Sequence, residues 1–209
     1  MDVCFAPDHD ARTMEAFPAS RKQLTHDRIL DTAARVLRDT GFSGVGVSDI
    51  MKRSGLTHGG FYAHFASRDA LLAEALERAG QDGHARLQRS IAAAEAKGST
   101  AFQALVDNYL SERHLKACET GCPVAALGSE LPRQSETVRA AGAARIAALT
   151  ATVAGTLPAG QPPETAGIVA AQLVGALQIA RTFGDNAAGR RHLAASRRFL
   201  LDQFQPTRP

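Results

Sequence analysis

The most reactive side chains in this sequence are a histidine and two cysteines that recur at every fourth position, His114, Cys118 and Cys122. Three interpretations compete. In the first, the cysteines are small buried apolar residues. In the second, the three side chains share one helix face and bind zinc or another soft metal. In the third, Cys118 and Cys122 sense oxidants or electrophiles as a reactive pair of thiols.

The residues around this trio argue against the metal site. Gly121 and Pro123 are expected to break a helix, so the common face need not continue, and three ligands are fewer than a closed structural site needs. Cys122, directly before Pro123, would occupy a helix N-cap, where the helix dipole favours the thiolate, although Glu119 opposes it. The sequence therefore predicts no metal site and leaves the structural and redox roles open.

A second group of residues with binding chemistry lies between positions 47 and 65. Ser48 is expected to cap a short helix that Gly55 ends, and the two-residue turn Leu56-Thr57 leads into another short helix. This arrangement is typical of a helix-turn-helix, whose second helix enters a DNA major groove. Polar side chains here are expected to meet phosphates or base edges, namely Thr57, His58, Tyr62 and His64. Gly59 and Gly60 are expected to let the backbone approach the DNA closely.

The positive charge of the chain is concentrated in the same region. Residues 21–69 hold eight Lys and Arg against five Asp and Glu, whereas the remaining chain is balanced at 16 against 16. A local basic excess points to an anionic partner such as DNA. An unbalanced solvated surface would show the same excess.

The elements that must position these residues are all predicted to be helices. The apolar residues, 44% of the chain, follow the helical period, and no segment alternates as a strand does. Thr25 and Ser67 are expected to cap helices, and Gly41 to end one. Nine helices are predicted, over residues 25–40, 48–55, 57–65, 67 onward, 99–116, 123–131, 132–157, 164–183 and 186–204.

The composition also limits where the protein works. No run of about 18 apolar residues predicts a membrane span, and no secretory signal is evident. Three cysteines are too few for a disulfide framework, so we expect a cytoplasmic protein without a membrane partner. Residues 1–20 are expected to be a disordered tail, and Met14 is a second candidate for the first residue beside Met1.

The N-terminal motifs resemble those of the tetracycline-repressor (TetR) family over residues 25–78. They are GF at 41–42, VSDI at 47–50, GLT at 55–57, GFYAHF at 60–65 and SRDALL at 67–72. The resemblance implies a three-helix DNA-binding domain at 21–66 and a helical ligand-binding and dimerisation domain at 67–209. It also implies a groove-facing set, Thr57, His58 and Gly59, and a set that touches the DNA backbone, Ser48, Tyr62, His64 and Arg68.

The resemblance further implies a homodimer bound to a pseudo-palindromic operator, with half-sites one helical turn, about 34–36 Å, or a multiple of it, apart. A small-molecule effector is expected in a cavity among the middle helices. The candidate cavity residues, each of which also suits plain core, are Phe102, Val106, Tyr109, Leu110, His114, Val124, Leu127, Leu149 and Val153.

The last two helices are expected to build the dimer interface. Gly167, Ala171 and Gly175 recur at every fourth position and form a ridge of small residues that permits close helix contact. Leu173, Leu177 and Phe199 add apolar area to the predicted interface. Packing within a single chain is the alternative.

These features predict a sequence-specific transcriptional regulator, more specifically a repressor that a small-molecule effector releases from DNA. The alternatives are an oxidant-sensing repressor that uses Cys118 and Cys122, a thiol enzyme built on Cys122 and His114, and an architectural DNA-binding protein. The sequence contains no nucleophile elbow, phosphate loop or paired carboxylates, so we expect no enzyme, no catalytic residue and no cofactor. An architectural protein would carry its basic charge more widely.

Overall fold

The computed structural model describes residues 20–204, and within that range it contains nine α-helices, two 3₁₀ helices and no strand. The predicted all-α fold is confirmed. Apart from Ser20, the predicted tail, Cys4 and both candidate start residues lie outside the described residues. The α-helices are α1 (Arg21–Thr40), α2 (Val47–Arg53), α3 (Arg68–Glu95), α4 (Ala101–Tyr109), α5 (Glu112–Lys116), α6 (Pro123–Leu127), α7 (Glu136–Ala154), α8 (Thr165–Phe183) and α9 (Ala187–Phe204); the 3₁₀ helices are His58–Ala63 and Leu131–Arg133.

Helix α1 begins one turn earlier than the sequence predicts. Ser20, not Thr25, is the N-cap, because its hydroxyl accepts a hydrogen bond from the Gln23 amide at 3.1 Å. The Thr25 hydroxyl instead donates to the Arg21 carbonyl inside the helix. The predicted end at Gly41 is confirmed, with φ at +74° and its N–H donating to the Leu37 carbonyl.

Helix α2 begins at Val47, so the predicted N-cap at Ser48 is wrong. Gly46 holds the capping position without a side-chain hydrogen bond. Ser48 lies one residue inside the helix, and its hydroxyl reaches the ring of His58 instead. At the other end, Gly55 adopts a φ of +70°, a conformation that glycine allows without a steric penalty.

Helix α3 joins the two hydrophobic cores of the molecule. The predicted cap is confirmed, since the Ser67 hydroxyl accepts from the Ala70 amide at 3.1 Å. The first half of α3 packs with α1, α2, Phe61 and Phe65, and this core also contains Leu127 and Val138 from the middle helices. The second half contributes to the core around α4, α8 and α9. Because α3 is shared, no linker separates the predicted parts 21–66 and 67–209, and that functional division stays a prediction.

The middle of the chain is more broken than predicted. The expected helix over 99–116 is two helices, because Leu110 and Ser111 leave the helical conformation and the Ser111 hydroxyl caps α5. The helix that starts at Pro123 ends at Leu127, well before residue 131. Helix α7 begins at Glu136, after a 3₁₀ turn, and not near residue 132. Short capped segments of this kind carry too little apolar periodicity to be separated by sequence.

Helix α8 is the one helix of the described chain that is long and apolar enough to span a membrane by length and composition, which the sequence reading did not anticipate. One of its faces packs in the second core, where Leu173 and Leu177 are fully buried. This packing accounts for much of its apolar composition. Its other face carries the exposed side chains of Ile168 and Ile179.

Candidate DNA-binding and effector-binding sites

The helix-turn-helix is built from α2 and the 3₁₀ helix His58–Ala63, which we call the recognition helix. The sequence predicted a short helix at this position, and the structure makes it a 3₁₀ helix. Phe61 anchors it, because this ring is buried and stacks on Phe65 at a centroid distance of 5.7 Å. Buried Ile50 and Met51 of α2 lie in the same core. The recognition helix is therefore held on a rigid apolar base.

The outer side of the recognition helix is open to solvent. Thr57, His58 and Gly59 are exposed, and 72% of Tyr62 is exposed. A Cβ atom at Gly59 would meet nothing within 4 Å, and one at Gly60 would make only an ordinary contact with Met51. Packing within the chain therefore does not require either glycine, whereas close approach of an external backbone would.

Two polar contacts support this surface. The Ser48 hydroxyl and the His58 Nδ1 atom lie 3.0 Å apart, so α2 orients a side chain of the recognition helix. Arg53 donates to the Asp49 carboxylate at 2.7 Å across one turn of α2. Asp49 thus neutralises the positive charge of Arg53, one of the basic residues of the 21–69 region.

Arg68 is not a free phosphate-binding side chain in this structure. Its guanidinium donates to the Val45 carbonyl at 3.1 Å and to the Phe42 carbonyl at 2.5 Å. These bonds hold the loop between α1 and α2, so at least part of the role of Arg68 is to position the helix-turn-helix.

His64 is half-buried, and its Nδ1 atom has no partner within residues 20–204. Burial lowers the pKa of His64, and His26 and Lys22 lower it further. A charged contact between His64 and a phosphate is therefore disfavoured in this conformation.

A cavity of about 370 Å³ lies between α3, α4, α5, α6 and α7. Four of the nine predicted cavity residues line it, Tyr109, His114, Val124 and Leu149. The other five are buried in the two cores and do not reach its wall: Phe102, Val106, Leu110, Leu127 and Val153. The wall residues that sequence reasoning missed include Arg86 and Leu87 of α3, Arg113 of α5 and Arg145 of α7.

His114 ties the cavity wall together through both of its ring nitrogens. Its Nδ1 atom lies 2.8 Å from the Tyr109 carbonyl, and its Nε2 atom lies 3.0 Å from the Cys122 amide nitrogen. A carbonyl only accepts and an amide N–H only donates, so the ring is neutral, with its proton on Nδ1. Burial lowers the pKa of His114 to about 4; the hydrogen bond to the Tyr109 carbonyl opposes this change, and Arg181, Arg113 and Arg86 add to it.

Residues 117–122, which we call the cysteine loop, form one side of the cavity. Three arginines from three helices hold its backbone carbonyls: Arg38 of α1 binds Glu119, Arg86 of α3 binds Thr120, and Arg181 of α8 binds Ala117. Arg38 is buried, and this burial lowers its pKa to about 10. The loop thus connects the cavity directly to α1, against which α2 of the helix-turn-helix packs.

The two cysteines of this loop are free thiols with different surroundings. Cys118 is exposed, and Cys122 is half-buried in the cavity wall. Cys122 is the N-cap of α6, as the sequence predicts. Since both nitrogens of His114 are already bonded, it offers no metal ligand, and residues 20–204 contain no cluster of three metal-ligating side chains.

The predicted dimer-interface residues divide between two faces of α8 and α9. Gly167 and Ala171 are exposed, and 54% of Phe199 is exposed. Cβ atoms at Gly167 and Gly175 would meet nothing within 4 Å, so the small-residue ridge faces outward. Leu173 and Leu177, by contrast, are fully buried within the chain and cannot form an interface. The exposed side chains that the sequence reading missed on this face are Ile168, Ile179 and Phe183.

The sequence is similar to those of known bacterial regulators. The family model for bacterial regulatory proteins of the tetR family matches residues 29–75. An uncharacterised helix-turn-helix transcriptional regulator of Mycobacterium tuberculosis is 30% identical over 175 residues, which cover 78% of this chain and 87% of that protein. The Escherichia coli transcriptional repressor NemR is 27% identical over 117 residues, or 56% of this chain and 59% of NemR.

Solved structures share the fold. The reduced form of E. coli NemR superposes with a TM-score of 0.70 at 21% identity and covers 85% of this chain and 95% of NemR. A TetR-family regulator from Cytophaga hutchinsonii gives a TM-score of 0.75 at 16% identity, over 92% of this chain and all of that chain. With the matched DNA-binding region and the similarity to the mycobacterial protein along most of its length, the chain belongs to the TetR family of bacterial transcriptional regulators.

Proposed function

We propose that this DNA-binding transcriptional regulator is a homodimeric repressor whose effector binds in the cavity beside the cysteine loop and releases the operator. One observation carries the proposal. The cysteine loop lines the cavity, and Arg38 of α1 holds the same loop through the Glu119 carbonyl. A ligand that moves the loop therefore acts on the helix on which the helix-turn-helix is built.

A second connection runs parallel to the first. The Phe42 amide, just past the end of α1, donates to the Glu130 carboxylate at 3.1 Å, and Glu130 follows α6 of the cavity wall. One contact of α1, at Arg38, and one contact of Phe42, two residues beyond α1, therefore depend on the position of α5 and α6. Coupling through such contacts is reciprocal, so operator DNA should weaken the binding of the effector as strongly as the effector weakens binding of DNA.

Repression is the direction that similarity favours, since the E. coli relative NemR is named a repressor. TetR-family regulators act as dimers on operator DNA, and we propose the same assembly here, in a cytoplasmic protein without a membrane partner. Thr57, His58 and Gly59 would face the groove, and Tyr62 would touch a phosphate. We assign no catalytic role to Cys122, because the His114 nitrogen that faces it accepts the Cys122 amide proton and is not free to act as a base.

Operator binding is the direct test. We expect the protein to bind the DNA upstream of its own gene in fluorescence anisotropy with excess non-specific competitor. Tyr62→Ala should weaken binding to specific and non-specific DNA alike, because a phosphate contact is lost, and should leave the salt dependence nearly unchanged, because the tyrosine hydroxyl is neutral and displaces no counterion. His58→Ala should instead change which sequences are preferred. Gln161→Ala, at an exposed position of the loop between α7 and α8, is the control. Equal binding by wild type and the Tyr62 and His58 variants would refute this DNA surface.

Thiol sensing is a second candidate, and the position of the cysteines favours it. Exposed Cys118 and cavity-lining Cys122 belong to the loop that Arg38 holds, so a covalent change there would act through the same contact. With peroxide as oxidant, the two thiols would give up two protons and two electrons and form one disulfide while the peroxide is reduced to water. Three results would support this function: peroxide abolishes operator binding, dithiothreitol restores it, and the Cys118→Ser variant keeps operator binding after peroxide. Unchanged binding of the wild type after peroxide would exclude it.

A further inference from the structure

The charged residues of the cavity wall are all of one sign. Arg86, Arg113 and Arg145 line it, and no Asp or Glu does. Arg145 is paired with Glu77 at 2.8 Å, but the carboxylate of Glu77 lies outside the wall. The Arg113 side chain is exposed to solvent, and within the described residues 20–204 its guanidinium makes no hydrogen bond or ion pair. The cavity is therefore positively charged and keeps a cation without a partner.

A buried polar group in the same cavity also lacks a strong partner. Tyr109 is buried, and within residues 20–204 its hydroxyl has no nitrogen or oxygen partner. Burial raises the pKa of Tyr109, and the Cys122 thiol, a weak hydrogen-bond partner of the hydroxyl, raises it further. A buried hydroxyl without a good acceptor is unfavourable, so a ligand that accepts its proton is favoured in this cavity. His114 cannot serve the ligand instead, because both of its nitrogens are used inside the protein.

The remaining wall is mostly apolar. Leu87, Val124, Ala148 and Leu149 line the cavity together with Pro123. Its volume of about 370 Å³ falls within the range of roughly 300–1,000 Å³ that small-molecule sites occupy. The wall thus combines an apolar surface for the body of a ligand with donors and positive charge for one polar end.

We propose that the cavity selects a small organic carboxylate with an apolar body. This proposal rests on the proposed function in one respect, that the ligand is the effector. The carboxylate accepts hydrogen bonds from Arg113 and from the Tyr109 hydroxyl, and the apolar body packs on Leu87, Val124 and Leu149. Arginine and carboxylate form charge-assisted hydrogen bonds that are stronger than those between neutral groups. A cationic ligand is disfavoured because Arg86 and Arg113 line the cavity without a carboxylate in its wall, and Glu77 neutralises only Arg145.

Isothermal titration with matched probes tests the charge preference. Octanoate and 4-phenylbutyrate carry the carboxylate, octan-1-ol and 4-phenylbutan-1-ol are neutral, and octylamine is cationic. We expect each carboxylate to bind at least tenfold more tightly than its alcohol, and the amine to bind more weakly than the alcohol. Equal binding of acid and alcohol, or no binding of either carboxylate at millimolar concentration, would overturn the proposal.

Variants locate the site. Arg113→Gln should reduce the preference for acid over alcohol to within about threefold, and Tyr109→Phe, which removes one oxygen and keeps the ring, should weaken carboxylate binding severalfold. Arg89→Gln is the matched control, since Arg89 is an exposed residue of α3, one turn from Arg86, and does not line the cavity. Thermal unfolding of each variant shows that it is folded. A preference that survives both site variants would place the anion elsewhere and refute the assignment.

Operator binding without ligand is measured separately, so the two proposals fail independently. The protein could bind carboxylates selectively and yet fail to recognise its upstream DNA, or remain on that DNA with ligand bound. Either result contradicts the proposed function and leaves the anion site intact. Operator binding with no acid preference contradicts only the anion site.

Discussion

At the scale of residues, His114 has a structural role, although a histidine near two cysteines suggests a metal ligand or a catalytic base. Its imidazole bridges the Tyr109 carbonyl and the Cys122 amide, and thereby joins the end of α4 to the start of α6. The ring must be neutral for this, because a protonated Nε2 atom would face the Cys122 N–H donor. Burial and three nearby arginines stabilise that neutral form.

We therefore predict that His114 makes stability dependent on pH. Its pKa of about 4 in the folded protein lies below the ordinary value of 6.5, so unfolding takes up a proton as the pH falls between these values. The stabilising effect is complete above pH 6.5, declines towards pH 4 and amounts to about 3 kcal/mol. Urea denaturation at pH 7, 6, 5 and 4 measures the free energy of unfolding.

The comparison uses two variants. His114→Gln should be less stable than wild type at pH 7 and should lose much of the decline between pH 6.5 and 4. His84→Gln, a change at an exposed histidine of α3, should keep the wild-type decline. Parallel pH profiles for wild type and His114→Gln would show that the ring is not the responsible group.

At the scale of elements, the cysteine loop is a point on which side chains of three helices converge. Arg38, Arg86 and Arg181 bind its carbonyls from α1, α3 and α8. Gly121 is required there, because a Cβ atom would lie 2.5 Å from the Ala117 carbonyl oxygen and 2.8 Å from Arg181. A loop held this tightly transmits displacement instead of absorbing it.

Replacing Arg38 with Leu should therefore uncouple the two sites. The substitution removes the direct bond between α1 and the cysteine loop and should destabilise the protein by about 1–3 kcal/mol, because the Glu119 carbonyl loses its partner. We expect octanoate to weaken operator binding at least fivefold less in this variant than in wild type, as measured by anisotropy with and without octanoate. Octanoate affinity itself should change little in the absence of DNA.

The control for this change is Arg35→Gln, on the exposed side of α1 one turn away. It should leave both the affinity for DNA and the response to octanoate as in wild type. A full response in Arg38→Leu would mean that the contact between Phe42 and Glu130 carries the coupling by itself.

At the scale of the whole molecule, the outward face of α8 and α9 carries four of the seven large apolar side chains that are exposed within residues 20–204. Ile168, Ile179, Phe183 and Phe199 are each about half exposed or more, and the ridge of Gly167, Ala171 and Gly175 runs beside them. Exposed apolar patches of this kind mark interaction surfaces, and small residues let two helices approach closely.

Ile179→Asp should consequently dissociate the proposed dimer. A carboxylate in the middle of an apolar interface must be desolvated without a partner, which should raise the dimer dissociation constant by more than tenfold. Sedimentation equilibrium measures this change, and operator affinity should fall with it. Ile146→Asp on α7, where the isoleucine is 46% exposed, is the matched control and should remain dimeric. Dimerisation that Ile179→Asp does not affect would assign another face to the interface.

The sequence by itself determined the helical class, the position of the helix-turn-helix and several helix ends, because these depend on periodicity and on residues such as Gly41, Ser67 and Pro123 that act on their immediate neighbours. It did not separate Leu173 and Leu177 from the outward residues of α8, since both faces of that helix are apolar. Only the tertiary structure brought Arg38, Arg86, Arg113 and His114 around one loop and one cavity. These contacts join residues up to 81 positions apart, and the local sequence carries no signal for them because the packing of α1, α3 and α5 creates them.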